Sequence, residues 1–145
     1  MKKIEHIGIA VKNLEEANAT YRALLDAEPY KNEAVESEGV ITSFFQVGET
    51  KIELLAATNE NSPIYKFIEK RGEGIHHIAF DVEDIEAEIA RLERKGFVLV
   101  NHRPKPGADN KIVAFLHPKS AKGVLVELCQ DTGPTRKELF DEGLR

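Results

Sequence analysis

Two stretches decide the fold. Ile4-Glu5-His6-Ile7-Gly8-Ile9-Ala10-Val11-Lys12-Asn13-Leu14 opens the chain, and Ile75-His76-His77-Ile78-Ala79-Phe80-Asp81-Val82-Glu83-Asp84-Ile85 returns in its second half. Laid over each other, His6 meets His77, Val11 meets Val82, Asn13 meets Asp84 and Leu14 meets Ile85. A second pair follows in the same order: KIELLA from Lys51 and VLVELC from Val124, with Glu53 over Glu127. The offset is 71 residues at the histidines and 74 at the glutamates, so an insertion of three reconciles them. Two matches in one order, each with a polar residue inside an apolar strand, read as an internal duplication.

Each copy has one coarse order. A β-rich run, Ile4 to Val11 or Ile75 to Val82, precedes an N-capping Asn13 or Asp84 and a helical pattern. Leu14, Ala17, Tyr21 and Leu24 or Leu25 share one helical face, as do Ile85, Ile89 and Leu92. Gly96 suits the stop of the second helix. Strands are then expected near Tyr30 to Ala34, at Val40 to Val47 and at Lys51 to Ala56 in the first copy. In the second they are expected at Phe97 to Asn101, Lys111 to Leu116 and Gly123 to Cys129. The fold class is therefore α+β: two tandem βαβββ modules forming one curved, mainly antiparallel sheet with helices outside. Module one spans about 1–57 and module two about 74–130. Ser62-Pro63 and Gly72 bracket a linker helix over about 62–72. The tail 131–145 is polar, with Leu139 and Phe140 expected to fray.

Composition narrows the function. The chain has 145 residues, 41% of them hydrophobic, and a net charge of −5. An acidic balance disfavours nucleic acid, which needs a basic patch. No apolar run reaches the roughly 18 residues of a membrane helix, and Met1-Lys2-Lys3-Ile4-Glu5 lacks the core of a signal peptide. One cysteine, Cys129, allows no internal disulfide and suits a cytoplasmic protein.

Alternation along a strand puts Ile4, His6, Gly8 and Ala10 on one face and Ile75, His77, Ala79 and Asp81 on another. Glu53 and Glu127 lie opposite their apolar neighbours. If the modules join into one curved sheet, His6, Glu53, His77 and Glu127 converge inside it. Buried carboxylates repel each other, and a divalent cation relieves that. Two imidazoles and two carboxylates suit Zn²⁺, Mn²⁺, Co²⁺, Ni²⁺ or Fe²⁺, and four protein ligands on an octahedral ion leave two positions open. His76 is expected on the opposite face, His102 and His117 in loops, Cys129 as a buried thiol and Glu38 as a solvated loop acid.

These residues resemble the vicinal oxygen chelate, or glyoxalase-like, superfamily. The similarity lies in HIGIAVKNLEEA, VGETKIELL, SPIYKFIEKRGEGIHHIAFDVEDI and FLHPKSAKGVLVEL, and runs from Ile4 to about Gln130. Within the superfamily the chain most resembles the methylmalonyl-CoA epimerases, of the isomerase class. The resemblance implies a homodimer, an acyl-CoA substrate and one divalent ion per chain, favouring Co²⁺. It implies interconversion of the two substrate epimers by removing and returning a proton through a metal-stabilised thioester enolate. It also carries the metal ligands onto His6, Glu53, His77 and Glu127. Glu127 is expected to double as an acid/base. Thr42 occupies a slot that is glutamate in some similar proteins and is expected to contact substrate. Lys119 is the residue expected to meet the CoA phosphates, in a cluster with Lys105, Lys111 and Lys122. The alternatives are a glyoxalase-I-like lyase acting on a glutathione hemithioacetal and, less favoured, a non-catalytic small-ligand-binding protein of the same fold.

Overall fold

A computed structural model of the chain describes residues 1–101 and 103–133. His102, Leu139, Phe140 and most of the polar tail lie outside the described residues. The elements run β1 (Lys3–Ala10), α1 (Leu14–Leu25), β2 (Lys31–Val35), β3 (Val40–Val47), β4 (Thr50–Ala57), α2 (Pro63–Arg71), β5 (Gly74–Asp81), α3 (Ile85–Arg94), β6 (Lys105–Gly107), β7 (Lys111–Leu116) and β8 (Val126–Asp131).

The eight strands form one sheet in the order β2-β3-β4-β1-β5-β8-β7-β6. The second half of that order repeats the first in mirror image. Each module contributes one parallel pair, β1 with β4 and β5 with β8, and its other pairings are antiparallel. The two modules meet along β1 and β5, which pair antiparallel. The duplication therefore builds a single curved sheet whose two central strands carry the two histidine segments.

The helices start where their capping residues stand. Asn13 Oδ1 accepts from Glu16 N at 2.9 Å, and Asp84 Oδ1 accepts from Ala87 N at 3.1 Å. Ser62 Oγ accepts from Ile64 N, with Pro63 in the first turn of α2. Each outer helix lays an apolar stripe on the convex face. Leu14, Ala17, Tyr21 and Leu25 of α1 pack on Phe45 and Leu54. Ile85, Ile89 and Leu92 of α3 pack on Ala114, Leu116 and Leu128. The start of α2 instead sits at the concave face, where Ile64 packs on Ala10 and Leu55.

Three expectations change. Phe97 to Asn101 is not a strand. Val100 N and His117 N bond across to Phe115 O and Val98 O, but only Leu99 forms a bridge, to Leu116. Phe97–Asn101 thus touches only the end of β7, whose first three residues pair with β6, from a segment that reads as a turn. Pro106 is tolerated there because β6 is the sheet's edge, where a missing N–H costs no ladder bond. The last strand begins at Val126 and not at Gly123, because Lys122 and Gly123 both take positive φ and turn the chain. Finally, Ile4 and Ile75 are not on the concave face. They are 41% and 62% exposed.

That last change has a specific origin. In β1 the register with β5 steps from Ile4↔Phe80 to His6↔Ala79, leaving Glu5 as an extra residue. In β5 it steps from Gly8↔His77 to Ile9↔Ile75, leaving His76 extra. Each central strand thus bulges immediately before its motif histidine. A bulge breaks the period-2 alternation, so the residue before it no longer shares the histidine's face.

Candidate metal centre and active site

The concave face encloses a cavity of about 360 Å³. His6, Glu53, His77 and Glu127 all line it, each with no more than 6% of its surface exposed. The strands put them there. Glu53 on β4 and Glu127 on β8 alternate with Ile52, Leu54, Val126 and Leu128, and Leu54 and Leu128 are completely buried in the convex-side cores.

Three ligand atoms converge. His6 Nε2 lies 2.9 Å from His77 Nε2, and Glu127 Oε1 lies 3.7 Å and 3.2 Å from these two nitrogens. His6, His77 and Glu127 are thereby close enough to share one ion. Glu53 approaches from the other side of the His6 ring, with Oε2 at 3.0 Å from Nδ1. The four residues selected from sequence are thus brought to one place, three around a common point and Glu53 beside them.

The electrostatics fit a cation. Burial would raise Glu127, but hydrogen bonds from His6 and His77 outweigh it and hold the carboxyl at about 2. Burial would lower His6, but Glu127, Glu5 and Glu53 push it up to about 10. Burial raises Glu53 to about 7. With Glu5 matched by Lys51, Glu53 and Glu127 share one imidazolium in a buried place and leave a deficit of positive charge. Two imidazole nitrogens and a carboxylate oxygen aimed at one point are a donor set for a borderline divalent ion such as Zn²⁺ or Co²⁺. The residues therefore fit the group that the sequence implies.

Two residues here escaped the sequence reading. Glu5, 3% exposed, lines the cavity, with Oε1 3.0 Å from His6 Nδ1 and Oε2 3.0 Å from Lys51 Nζ. Those partners hold it at about 2 against the effect of burial. His76 also lines the cavity, contrary to its expected outward position. Its Nδ1 lies 2.9 Å from His77 Nδ1, and its ring meets Phe67 edge-on with centroids 5.0 Å apart. Strict alternation hides both residues. Their only signal in the sequence is the repeat, since Glu5 and His76 occupy matching places.

Other sites divide between the cavity and the surface. Thr42, 2% exposed, lines the cavity. So does Glu38, which is not a free loop acid: its Oε1 meets Lys105 Nζ at 2.7 Å. Lys105 and Lys111 line the cavity. Lys119 is exposed on a short turn at Pro118–Ala121 and is not among the lining residues. His117 is exposed, and its Nδ1 accepts from Lys119 N. Cys129 is a buried thiol whose pKa burial raises. Among the described residues no helix is long and apolar enough to cross a membrane.

Comparison with known proteins agrees with this geometry. The family model described as glyoxalase/bleomycin resistance protein/dioxygenase superfamily matches residues 5–115. The chain is 47% identical over 130 residues to the ethylmalonyl-CoA/methylmalonyl-CoA epimerase of Cereibacter sphaeroides, covering 88% of this chain and 97% of that protein. It superposes on the crystal structure of methylmalonyl-CoA epimerase from Mycobacterium tuberculosis with a TM-score of 0.86 and 34% identity, over 90% of this chain and 89% of that one. A methylmalonyl-CoA epimerase in complex with methylmalonyl-CoA and NH4+ gives a TM-score of 0.87 at 34% identity, over 92% of this chain and 96% of that one.

Proposed function

The chain belongs to the glyoxalase/bleomycin resistance protein/dioxygenase superfamily and within it to the methylmalonyl-CoA epimerase family, and from that premise we propose that it interconverts the two epimers of methylmalonyl-CoA. The observation that carries this reading is the buried convergence of His6, His77 and Glu127 in the wall of a cavity, in a chain of that family.

The reaction removes the proton from the carbon between a thioester and a carboxylate and returns it to the other face. His6, Glu53, His77 and Glu127 would hold a divalent ion. Bound there, the ion supplies Lewis-acid charge that favours the enolate form of the thioester. The protein's own groups do the remaining work. We also assign Glu127 one proton-transfer role, through the oxygen that does not face the two nitrogens. Two cavity carboxylates, Glu38 and Asp109, stand outside the ligand set and its immediate neighbours; Asp109 is taken up by Lys31 and Lys51, each at 2.6 Å, and we assign Glu38 the proton on the opposite face. Its contact with Lys105 Nζ at 2.7 Å steers it. The Thr42 hydroxyl supplies a neutral contact in the cavity wall, and Lys105 and Lys111 offer positive charge to the carboxylate or phosphates of the acyl-CoA. The reading extends to Co²⁺ as the ion, to a homodimer and to cytoplasmic placement. Metal analysis and sedimentation of the purified protein check the first two, and cell fractionation the third.

Incubation of methylmalonyl-CoA in D₂O, with metal-loaded and chelator-stripped protein, tests the proposal by NMR of the α-C–H. Metal-dependent exchange with interconversion is expected. Absence of exchange despite a bound divalent ion would sink the epimerase reading and turn the assay to a glutathione hemithioacetal. In Glu38→Gln, one epimer should still exchange its α-proton while interconversion falls. Equal loss of both would remove Glu38 from its role.

A further inference from the structure

The two bulges stand at matching places in the two modules and do matching things. Glu5 precedes His6, and His76 precedes His77. Each is the extra residue in its own strand, and each is turned into the cavity by that extra residue's loss of alternation. In both cases the atom it reaches is the histidine's Nδ1. Glu5 Oε1 lies 3.0 Å from His6 Nδ1, where Glu53 Oε2 also stands at 3.0 Å, and His76 Nδ1 lies 2.9 Å from His77 Nδ1. The Nε2 atoms of both histidines point the other way, toward each other and Glu127.

We propose that the paired bulges are a positioning device: Glu5 and His76 hold the Nδ1–H of His6 and His77, and so commit each ring to present its Nε2 lone pair to a divalent ion. The inference rests on the metal reading of the site but not on the identity of the substrate. A neutral imidazole has one N–H and one lone pair. An acceptor at Nδ1 puts the proton there and frees Nε2 for the metal. For His77 the acceptor must be the lone pair of His76 Nδ1, so His76 carries its own proton on Nε2. The bond is then an N–H···N bond between neighbouring side chains, a geometry that regular alternation forbids and the bulge creates.

The two devices are anchored differently. Glu5 is braced by Lys51, which is itself held by Asp109 at 2.6 Å. His76 is braced by the edge-on ring of Phe67 on α2. One ligand histidine therefore backs onto a charge, which makes its ring more electron-rich, and the other onto a neutral ring.

The test begins with the wild-type chain. In ¹⁵N-histidine-labelled, Zn²⁺-loaded protein, His77 should show the Nδ1–H tautomer, with a nitrogen–nitrogen coupling across the hydrogen bond to His76. A His77 ring that carries its proton on Nε2, or the absence of that coupling, would overturn the proposal. His76→Phe keeps a ring against Phe67 and removes the acceptor. It should weaken Zn²⁺ binding about 10- to 100-fold in a chelator-competition assay, with circular dichroism unchanged. His76→Gln restores an acceptor and should recover part of that loss. Zn²⁺ affinity in folded His76→Phe within twofold of wild type would also overturn it. Should His76→Phe not fold, the wild-type coupling and the His76→Gln affinity still decide. These readouts use Zn²⁺ alone. Failure of methylmalonyl-CoA turnover in wild type that binds Zn²⁺ counts against the epimerase reading only, and failure of wild type to bind Zn²⁺ counts against the metal reading.

Discussion

Gly8 shows how tightly the cavity histidines are held. Its backbone is ordinary strand, so no conformational argument requires glycine. Space does: a Cβ at Gly8 would lie 2.2 Å from His77 Cε1 and 2.6 Å from His77 Nδ1. The small residue leaves room for the Cε1 edge of its cross-strand partner's ring. Gly8→Ala should push His77 aside and weaken metal binding about tenfold or more, while the protein stays folded, as checked by calorimetric titration with Zn²⁺. Unchanged affinity would mean that the His77 ring can move without loss.

The same cluster sets a pH dependence for the metal-free protein. Glu5 and Glu127 sit below their usual 4.5, so the stability they contribute is present above 4.5 and is lost as pH falls toward about 2. Glu53 is raised, so its contribution is present below 4.5 and is lost as pH rises through about 7. His6 is raised too, so its contribution is present below 6.5 and is lost as pH rises through about 10. His76 is lowered by burial to about 4, so the stability it costs at low pH is regained as pH rises from about 4 to 6.5. The thermal midpoint of chelator-treated protein should therefore climb from pH 2 to about 4.5, stay level to about 6.5 while Glu53 and His76 oppose each other, and decline from there toward pH 10. Metal binding requires deprotonated ligands, so the stabilisation added by Zn²⁺ should grow over the same interval. Calorimetric scans with and without Zn²⁺ check both slopes, and a metal-free midpoint that rises between pH 7 and pH 9 would contradict them.

At the scale of elements, α2 has two jobs that neither outer helix shares. It links the modules in sequence, and its Pro63 and Ile64 line the cavity. Its start depends on Ser62, 1% exposed, whose hydroxyl accepts from Ile64 N. Ser62→Ala should cost about 1 kcal/mol in urea unfolding. It should also raise the substrate KM more than it lowers kcat, because it loosens a wall of the site and not its acids. The outer helices act through packing alone. Ile89→Ala, which opens a hole between α3 and the β7–β8 face, should cost about 2–5 kcal/mol with little effect on metal affinity.

Across the whole molecule, the loop between β6 and β7 returns from module two to close on module one. Asp109 receives Lys31 Nζ and Lys51 Nζ, each at 2.6 Å, and its backbone N–H donates to Glu33 Oε1 at 2.9 Å. Lys105 and Glu38 make a second bridge beside it. Asp109→Ala should cost about 1–2 kcal/mol, discounted for the water that still reaches this carboxylate. It should also leave Lys51 to Glu5 alone and lower metal affinity. Urea unfolding and Zn²⁺ titration check the two effects. Loss of stability with unchanged affinity would separate the loop from the site.

Much of this was legible in the chain itself. A duplicated pattern of strand, cap and amphipathic helix specifies two equivalent modules, because each local choice follows from side-chain period and capping chemistry. Glu53 and Glu127, each flanked by apolar residues that must face the helices, had only the concave face left to them. Three things needed the tertiary structure. Glu5 and His76 reach the site because bulges arise in the pairing of β1 with β5, strands 71 residues apart at their histidines, and no single strand encodes its partner's register. Glu38 meets Lys105 only because the modules fold toward each other. Lys105–Gly107 pairs with the start of β7 while the more strand-like Phe97–Asn101 touches only its end, and the loop carrying Asp109, which follows β6, is held across the sheet by Lys31 and Lys51. Local periodicity selects what each segment becomes; long-range pairing and charge decide which neighbour it meets.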